Sequence, residues 1–163
     1  MTCLLGVIVN ALKWNSYAGD ITIMEDKVRK WIENAVSEEP FAKTLGMRLL
    51  DLDNGFSKVE VMFDPEKTDN IYGRAHGGVI YALIDEAFEA ASQTEGVIAV
   101  ALNVNVSYIK SPEKGLRLTA EAKRKSLTRK TAVYDITVMD ENGALIAICN
   151  AVAYVTGKPV PIP

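Results

Sequence analysis

The sequence predicts an α+β fold in which an antiparallel β-sheet wraps around one long central α-helix. One long pattern of good helix-forming and core residues covers residues 77–92. Segments with the two-residue period of β-strands lie before and after it. Most of the turns between those segments are short, and short turns join antiparallel neighbours. A single sheet buries an apolar helix only by curving around it.

A first, amphipathic helix is predicted over residues 25–36. Its apolar side chains recur at helical spacing with charges between them. The helix ends before Pro40, because a residue that precedes proline avoids helical angles. Residues 41–45 predict a further short turn of helix.

Two strands are predicted next, over residues 47–52 and 56–63. The sequence Asp53-Asn54-Gly55 between them has strong turn chemistry. Residues 64–74 are polar and irregular, which predicts a loop before the long helix.

Four strands are predicted after the long helix, over residues 97–110, 116–124, 131–139 and 145–156. Strict alternation in the first of these puts the large apolar side chains on one face: Ile98, Val100, Leu102, Val104, Val106 and Tyr108. The last strand is apolar almost throughout, which predicts a central strand covered on both faces. The proline-rich residues 158–163 are predicted not to pair as a strand.

The length of 163 residues suits one domain. We expect this domain to cover residues 24–157, followed by the tail at 158–163. An ordinary helical start follows Met24, so residues 1–23 are either an extension upstream of the natural start or an unusual N-terminal arm.

Composition excludes several classes of protein. A net charge of -3 gives no electrostatic reason to expect nucleic acid as a partner. No apolar run approaches the roughly 20 residues of a membrane span, and residues 3–9 lack the preceding positive charges of a secretory signal. Two cysteines and one histidine form neither a disulfide framework nor a zinc site. We therefore expect a cytoplasmic protein with no metal and no other cofactor.

The most informative segment begins at Asn70 and enters the long helix through His76-Gly77-Gly78. Glycines at a helix start leave the first N–H groups uncovered, and these groups have no acceptor within the helix. The helix dipole adds partial positive charge there. A substrate carbonyl can approach the Gly78 N–H closely and have a developing oxyanion stabilised.

An acidic residue, Asp85, follows Gly78 on the same stripe of the helix, about 10 Å further along the axis. One carbonyl does not easily reach both groups within one subunit. We therefore expect Gly78 of one chain to meet Asp85 of another. A buried Asp is costly unless it is solvated, paired or functional.

Each of these residues also has an ordinary interpretation. His-Gly-Gly also fits a tight turn with a capping histidine. Asp85 also fits a solvated surface residue, and Asn70 also fits an ordinary turn residue. Their combination, set between a hairpin and a run of four strands, favours a functional site.

The pattern Asn-x5-His-Gly-Gly-x6-Asp, entering a long helix, resembles the phenylacetate-degradation branch of the hotdog-fold acyl-CoA thioesterases. Residues 105–112 are similar to the strand after the helix in that family, and residues 140–147 to its last hairpin. The resemblance covers about residues 40–156. It implies the hotdog fold, dimers and tetramers with active sites at subunit interfaces, and hydrolysis of an acyl-CoA.

The same resemblance implies a role for each motif residue and no metal. Asp85 would match the carboxylate that attacks the carbonyl or activates water, and Gly78 the N–H that polarises the carbonyl. Asn70 would match the residue that holds the nucleophile or the thioester. His76 would match the histidine that orients the loop or assists at the sulfur.

One position departs from the family. Some relatives carry Ser or Thr, which helps to position water, where this chain has Ala101. Asn103 and Ser107 lie on the same predicted face and are candidates to replace that hydroxyl. Loss of the hydroxyl favours a second hypothesis, a hotdog protein that binds acyl-CoA without turnover. A third, a hydratase of the same fold, needs a histidine–carboxylate motif in a context that is not seen here.

Candidate contacts to coenzyme A come from basic residues. The only basic cluster, at residues 123–130, contains Arg129 and Lys130 at a strand–strand turn. This cluster is either a solvated hairpin end or a contact to the CoA phosphates. The remaining candidates for substrate binding are Arg74, Lys110, Gly77 and Tyr81.

Overall fold

The computed structural model describes residues 24–162. The expectations about residues 1–23, including the choice of start, lie outside the described residues. Within the described range, no helix combines the length and apolar character needed to cross a membrane.

The chain forms four helices and six strands over the described range. The helices are α1 (Asp26–Glu38), α2 (Pro40–Leu45), α3 (Pro65–Thr68) and α4 (Gly77–Ser92). The strands are β1 (Arg48–Asp53), β2 (Phe56–Met62), β3 (Val97–Tyr108), β4 (Arg117–Leu127), β5 (Thr131–Asp140) and β6 (Leu145–Pro159). The short α3 lies in the segment that was predicted to be a loop.

All six strands form one sheet in the order β1-β2-β4-β5-β6-β3, and every neighbouring pair is antiparallel. The predicted α+β architecture, an antiparallel sheet around one long helix, is therefore confirmed. Strands β1 and β3 are the two edges of the sheet, so each has one side without a strand partner among the described residues.

Helix α4 is buried from two directions. Leu83, Ala87 and Phe88 join the core formed with the inner face of the sheet, where Phe88 packs edge-on against Tyr134 with ring centroids 5.3 Å apart. On another side, Ala90 packs in a second cluster with apolar residues of α1. What stays exposed is a stripe along α4 that includes Gly78, Tyr81, Asp85 and Glu89.

Strand β3 does not alternate strictly, which corrects the sequence prediction. Its register against β6 slips between Ala101 and Asn103, as in a β-bulge. Val104 therefore lies opposite the buried Ala151 and packs on the core, whereas Val100 lies opposite the exposed Tyr154. The large apolar side chains of β3 are thus divided between the two faces.

The bulge also corrects the prediction about the missing hydroxyl. Ala101 lies opposite Ala153, whose side chain is buried, so both face the helix side of the sheet. Asn103 and Ser107 lie opposite Val152 and Ile148 on the outer face. They do not share a face with Ala101 and do not take the place of its missing hydroxyl within one chain.

The prediction that the tail does not pair as a strand is wrong. Strand β6 continues to Pro159, which lies opposite Val97, and the Val160 N–H donates to the Gly96 carbonyl at 3.0 Å. A proline removes only its own donor from a ladder, so the following residue still forms its hydrogen bond.

Two hairpin glycines with the same backbone conformation offer a matched stability test. Gly55 and Gly143 both have a left-handed φ, at 68° and 81°. A Cβ at Gly143 meets open space, but a Cβ at Gly55 would lie 2.8 Å from Arg124 atoms. Arg124 itself bonds Glu95 at 2.5 Å and Asn54 at 3.0 Å, so it is not free to move away.

We expect Gly143→Ala to lower the free energy of unfolding by about 1–2 kcal/mol, the cost of a left-handed Cβ. Gly55→Ala should cost roughly 1–3 kcal/mol more, because its Cβ also overpacks the arginine. Urea denaturation of both variants measures the difference. Equal costs at the two glycines would contradict this account of the β1–β2 turn.

Candidate active site

Asn70 organises the loop that leads into α4. Its side-chain Oδ1 accepts hydrogen bonds from the backbone N–H groups of Tyr72 at 2.9 Å and Arg74 at 3.2 Å. Its own N–H donates to the Arg74 carbonyl at 2.7 Å. These hydrogen bonds support the interpretation of Asn70 as a turn residue, because its carboxamide oxygen already accepts two hydrogen bonds within the loop.

His76 caps the start of α4. Its Nδ1 accepts a hydrogen bond from the Gly78 N–H at 2.9 Å, and its own N–H donates to the Thr68 carbonyl at 2.8 Å. An accepting Nδ1 requires the neutral imidazole with its proton on Nε2. The amide that the sequence singled out as the oxyanion donor therefore has an intrachain acceptor.

The preceding amide is differently placed. No hydrogen bond is recorded for the Gly77 N–H within the described residues, as expected for the first residue of a helix. The Gly77 carbonyl accepts from the Tyr108 hydroxyl at 3.1 Å. Added side chains would crowd this region. A Cβ at Gly77 would lie 3.3 Å from the Tyr108 ring, and a Cβ at Gly78 would lie 2.9 Å from His76 Nδ1.

A cavity of about 520 Å³ opens beside this helix start. Four predicted site residues line it: Asn70, Arg74, Gly77 and Lys110. Tyr72, Ile80 and Tyr108 contribute to its walls. Two cations and a helix N-terminus on one cavity give a local preference for anions.

The other basic candidates lie elsewhere in the chain. Lys130 Nζ approaches the Tyr154 hydroxyl at 3.3 Å, and Tyr154 lies opposite Val100 on β3. Val100 is eight residues from Tyr108, roughly 26 Å along an extended strand. A single chain therefore does not bring Arg129 and Lys130 to the helix start.

Asp85 lies on the exposed stripe of α4, one turn after Tyr81. Although Asp85 is partly exposed, the surrounding protein removes some of its solvation, which raises the pKa of Asp85 above the ordinary value of 3.8, and the negative charge of Glu39 raises it further. The pKa of Tyr81 is also raised, first by burial and then by the Asp85 charge, as expected for side chains one helical turn apart.

The neighbouring Glu86 points the other way, into the protein. Its side chain is only 4% exposed, and burial raises its pKa to about 8. The Glu39 charge, a hydrogen bond with Glu39, and the charges of Glu89 and Asp85 add to the rise. At neutral pH the folded chain therefore favours the protonated form of Glu86.

Two of these residues were not assigned site roles from the sequence. Tyr108 was placed with the apolar side chains of β3, although its hydroxyl is a signal for a polar contact. Glu39 precedes Pro40 between two helices, and nothing in the local pattern indicates that it faces α4. Such contacts depend on how distant segments pack.

Comparison with known proteins identifies relatives of this chain. Residues 72–147 match the sequence profile of the thioesterase superfamily. A putative esterase of Archaeoglobus fulgidus is 36% identical over 117 residues, covering 72% of this chain and 75% of the relative. The acyl-coenzyme A thioesterase PaaI of Escherichia coli is 28% identical over 119 residues, covering 73% of this chain and 84% of the relative.

The fold has a close counterpart among solved structures. The E. coli PaaI protein from the phenylacetic acid degradation operon superposes with a TM-score of 0.79 at 25% sequence identity. The match covers 83% of this chain and 98% of that protein. The hotdog fold and the resemblance to the PaaI-like branch are thereby confirmed.

The raised pKa of Glu86 predicts a pH-dependent stability. The unfolded chain ionises this group above its ordinary value of 4.5, whereas the folded chain keeps the proton up to about pH 8. Between these values the folded state binds more protons, so the free energy of unfolding falls as pH rises. We expect Glu86→Gln, which stays neutral, to flatten this decline.

Melting temperatures measured across about pH 5 to 9 give the readout. Glu33→Gln, at an exposed carboxylate of α1, is the matched control and should follow the parent protein. A parent melting temperature that does not decline over this range would contradict the assignment.

Proposed function

The chain belongs to the thioesterase superfamily, and we propose that it hydrolyses an acyl-CoA thioester to the free acid and coenzyme A. The observation that carries this proposal is the helix start. The Gly77 amide, which has no acceptor among residues 24–162, opens on a cavity that Arg74 and Lys110 line. The relatedness to an acyl-coenzyme A thioesterase supplies the substrate class.

The reaction that fits these groups is base-assisted hydrolysis. The Asp85 carboxylate takes a proton from water, and the water oxygen attacks the thioester carbonyl carbon. The electron pair of the carbonyl bond moves to its oxygen, where helix-start N–H groups stabilise the charge. The pair then returns to the carbonyl carbon and the carbon–sulfur bond breaks. The leaving sulfur takes the proton from Asp85, which frees the thiol of coenzyme A and restores the carboxylate.

A direct attack by Asp85 is the alternative form of the same step. The carboxylate oxygen then forms a mixed anhydride with the acyl group and expels the thiolate, and water hydrolyses the anhydride. Both forms need Asp85 ionised, so its raised pKa sets the acid limb of the rate.

The choice between the two glycine amides follows from their hydrogen bonds. Gly78 N–H donates to His76 Nδ1, so it reaches a substrate oxygen only if the imidazole moves or shares it. The Gly77 N–H needs no such rearrangement, and the Tyr108 bond to the Gly77 carbonyl fixes the peptide plane that carries the Gly78 N–H. We therefore propose Gly77 as the first donor and Gly78 as the second.

A second copy of the chain completes the site in this proposal. Asp85 lies about 12 Å along the helix axis from Gly77 in one chain, too far for one carbonyl. Strand β3 is an open edge, with Val100 49% and Leu102 60% exposed. Antiparallel pairing of two β3 edges would join the sheets and bring the Lys130 end of one copy toward the Tyr108 end of the other.

Binding without turnover is the second candidate function, favoured by Ala101. A hydroxyl that would orient water is missing there, and Asn103 and Ser107 face away. Release of free thiol from an acyl-CoA separates the two functions.

We expect Asp85→Asn to abolish most of the thiol release, by a factor on the order of 10² or more, because an amide neither attacks nor accepts the proton. Glu141→Gln, at a distant exposed carboxylate, is the control. Acyl-CoA binding by Asp85→Asn should persist. Parent-like turnover in Asp85→Asn would remove the assigned role, and a parent protein that binds acyl-CoA without releasing thiol would favour the binding function.

Subunit mixing tests whether the site is shared. Gly77→Ala should reduce turnover by about tenfold, because its Cβ would lie 3.3 Å from the Tyr108 ring and shift the helix start slightly. Random mixing of Gly77→Ala and Asp85→Asn chains makes half of the dimers mixed, each with one intact site. Activity should therefore return to about a quarter of the parent value. No recovery in mixed dimers, verified by native mass spectrometry, would place both groups of a site in one chain.

A further inference from the structure

A second cavity lies between α1 and the part of α4 that follows Asp85, away from the helix start. Its volume is about 400 Å³. Carboxylates and apolar side chains line it together: Trp31, Ile32, Glu38, Glu39, Glu86, Glu89 and Ala90. Most of these carboxylates have no part in the proposed hydrolysis.

Three of the carboxylates lack a cation. Glu38 is paired with Lys43 at 2.6 Å. Glu39, Glu86 and Glu89 form no ion pair with any basic side chain of the described residues. Burial, followed by the charge of Glu39, raises the pKa values of Glu86 and Glu89. Carboxyl groups that lack a basic partner give the cavity a preference for positive charge.

One oxygen is also without a hydrogen bond. Glu86 is 96% buried, and its Oε1 has no partner among the described atoms. A buried acceptor without a donor destabilises the folded state. Glu86 lines the cavity, so a donor that enters the cavity and reaches Oε1 would remove this destabilisation.

The cavity is positioned to receive an acyl group. Glu89 follows Asp85 by one helical turn, about 6 Å along the axis, on the side away from Gly77. Glu39, Glu86 and Glu89 line the same cavity, and Glu86 and Glu89 lie within one helical turn of Asp85. An acyl chain whose carbonyl sits at Asp85 can thus extend toward the three carboxylates.

We propose that this cavity binds the far end of the acyl group and selects acyl chains that end in an ammonium group. The inference rests on the proposed function, since it names the substrate class for that site. Ammonium N–H groups satisfy the orphan Glu86 oxygen and neutralise Glu39 and Glu89. The Trp31 ring adds a surface that favours a cation, and Ile32 and Ala90 accommodate methylenes.

A pair of substrates isolates the charge. 6-Aminohexanoyl-CoA and heptanoyl-CoA have the same chain length and differ by an ammonium in place of a terminal methyl. We expect kcat/KM for the amine to exceed that for the alkyl substrate by about tenfold. Without a cation site the order reverses, because an apolar cavity favours the methyl group.

Two variants distinguish recognition from a structural role. Glu86→Gln and Glu89→Gln should each lower the ratio of the two kcat/KM values toward one, while Glu33→Gln, on α1 outside the cavity, leaves it unchanged. Equal losses on both substrates indicate a structural role and overturn the proposal. The proposal is also overturned if the parent protein prefers heptanoyl-CoA, or if neither Gln variant changes the ratio of the two kcat/KM values. These results are expected if a second copy of the chain fills the cavity.

Failure of the proposed hydrolysis gives a different result. If neither CoA ester releases thiol, the thioesterase function fails, and calorimetric Kd values for the same two esters still test the cation site. The cation site is supported if the parent protein binds 6-aminohexanoyl-CoA more tightly than heptanoyl-CoA and Glu86→Gln abolishes this difference. Equal Kd values for the two esters in the parent protein overturn it.

Discussion

The burial of α4 is the constraint on which the rest of the structure depends. The sheet takes up Leu83, Ala87 and Phe88, and α1 packs beside Ala90. Because these contacts fix the rotation of the helix about its axis, they leave one stripe uncovered. Tyr81 and Asp85 lie on that stripe. The same packing therefore holds the fold together and sets the direction in which the acidic group points.

Burial and neighbouring like charges together set the electrostatics near Asp85. Glu39, Glu86 and Glu89 surround the stretch of α4 that follows the helix start, while Arg74 and Lys110 line the cavity at the helix start. The polarity thus changes along one helix, from a region that attracts anions to one that attracts cations. A substrate with an anionic carrier at one end and a positive group at the other would match this gradient, and orientation in the site would follow from charge.

Local sequence rules predicted most of the fold. The two-residue period, the Asp53-Asn54-Gly55 turn and the long apolar helix all reflect interactions between near neighbours, so they are readable from order alone. The β3 bulge was missed because it depends on pairing with β6. The Glu39–Glu86 contact was missed because it joins the α1–α2 junction to α4, which is distant in the sequence. Among the site residues, the pattern found the capping His76, but only coordinates show that its ring occupies the Gly78 amide.

The open edge of β3 bears on the proposed pairing of two copies of this chain. Backbone groups along an edge are the same in every protein, so a ladder of main-chain bonds does not discriminate between chains. Discrimination must come from side chains that flank it, among them Val100 and Leu102. In a cell with several related hotdog chains, these two side chains would help to decide which chains assemble together. Substitutions at Val100 and Leu102 would then separate the assemblies of paralogues without changing the catalytic residues.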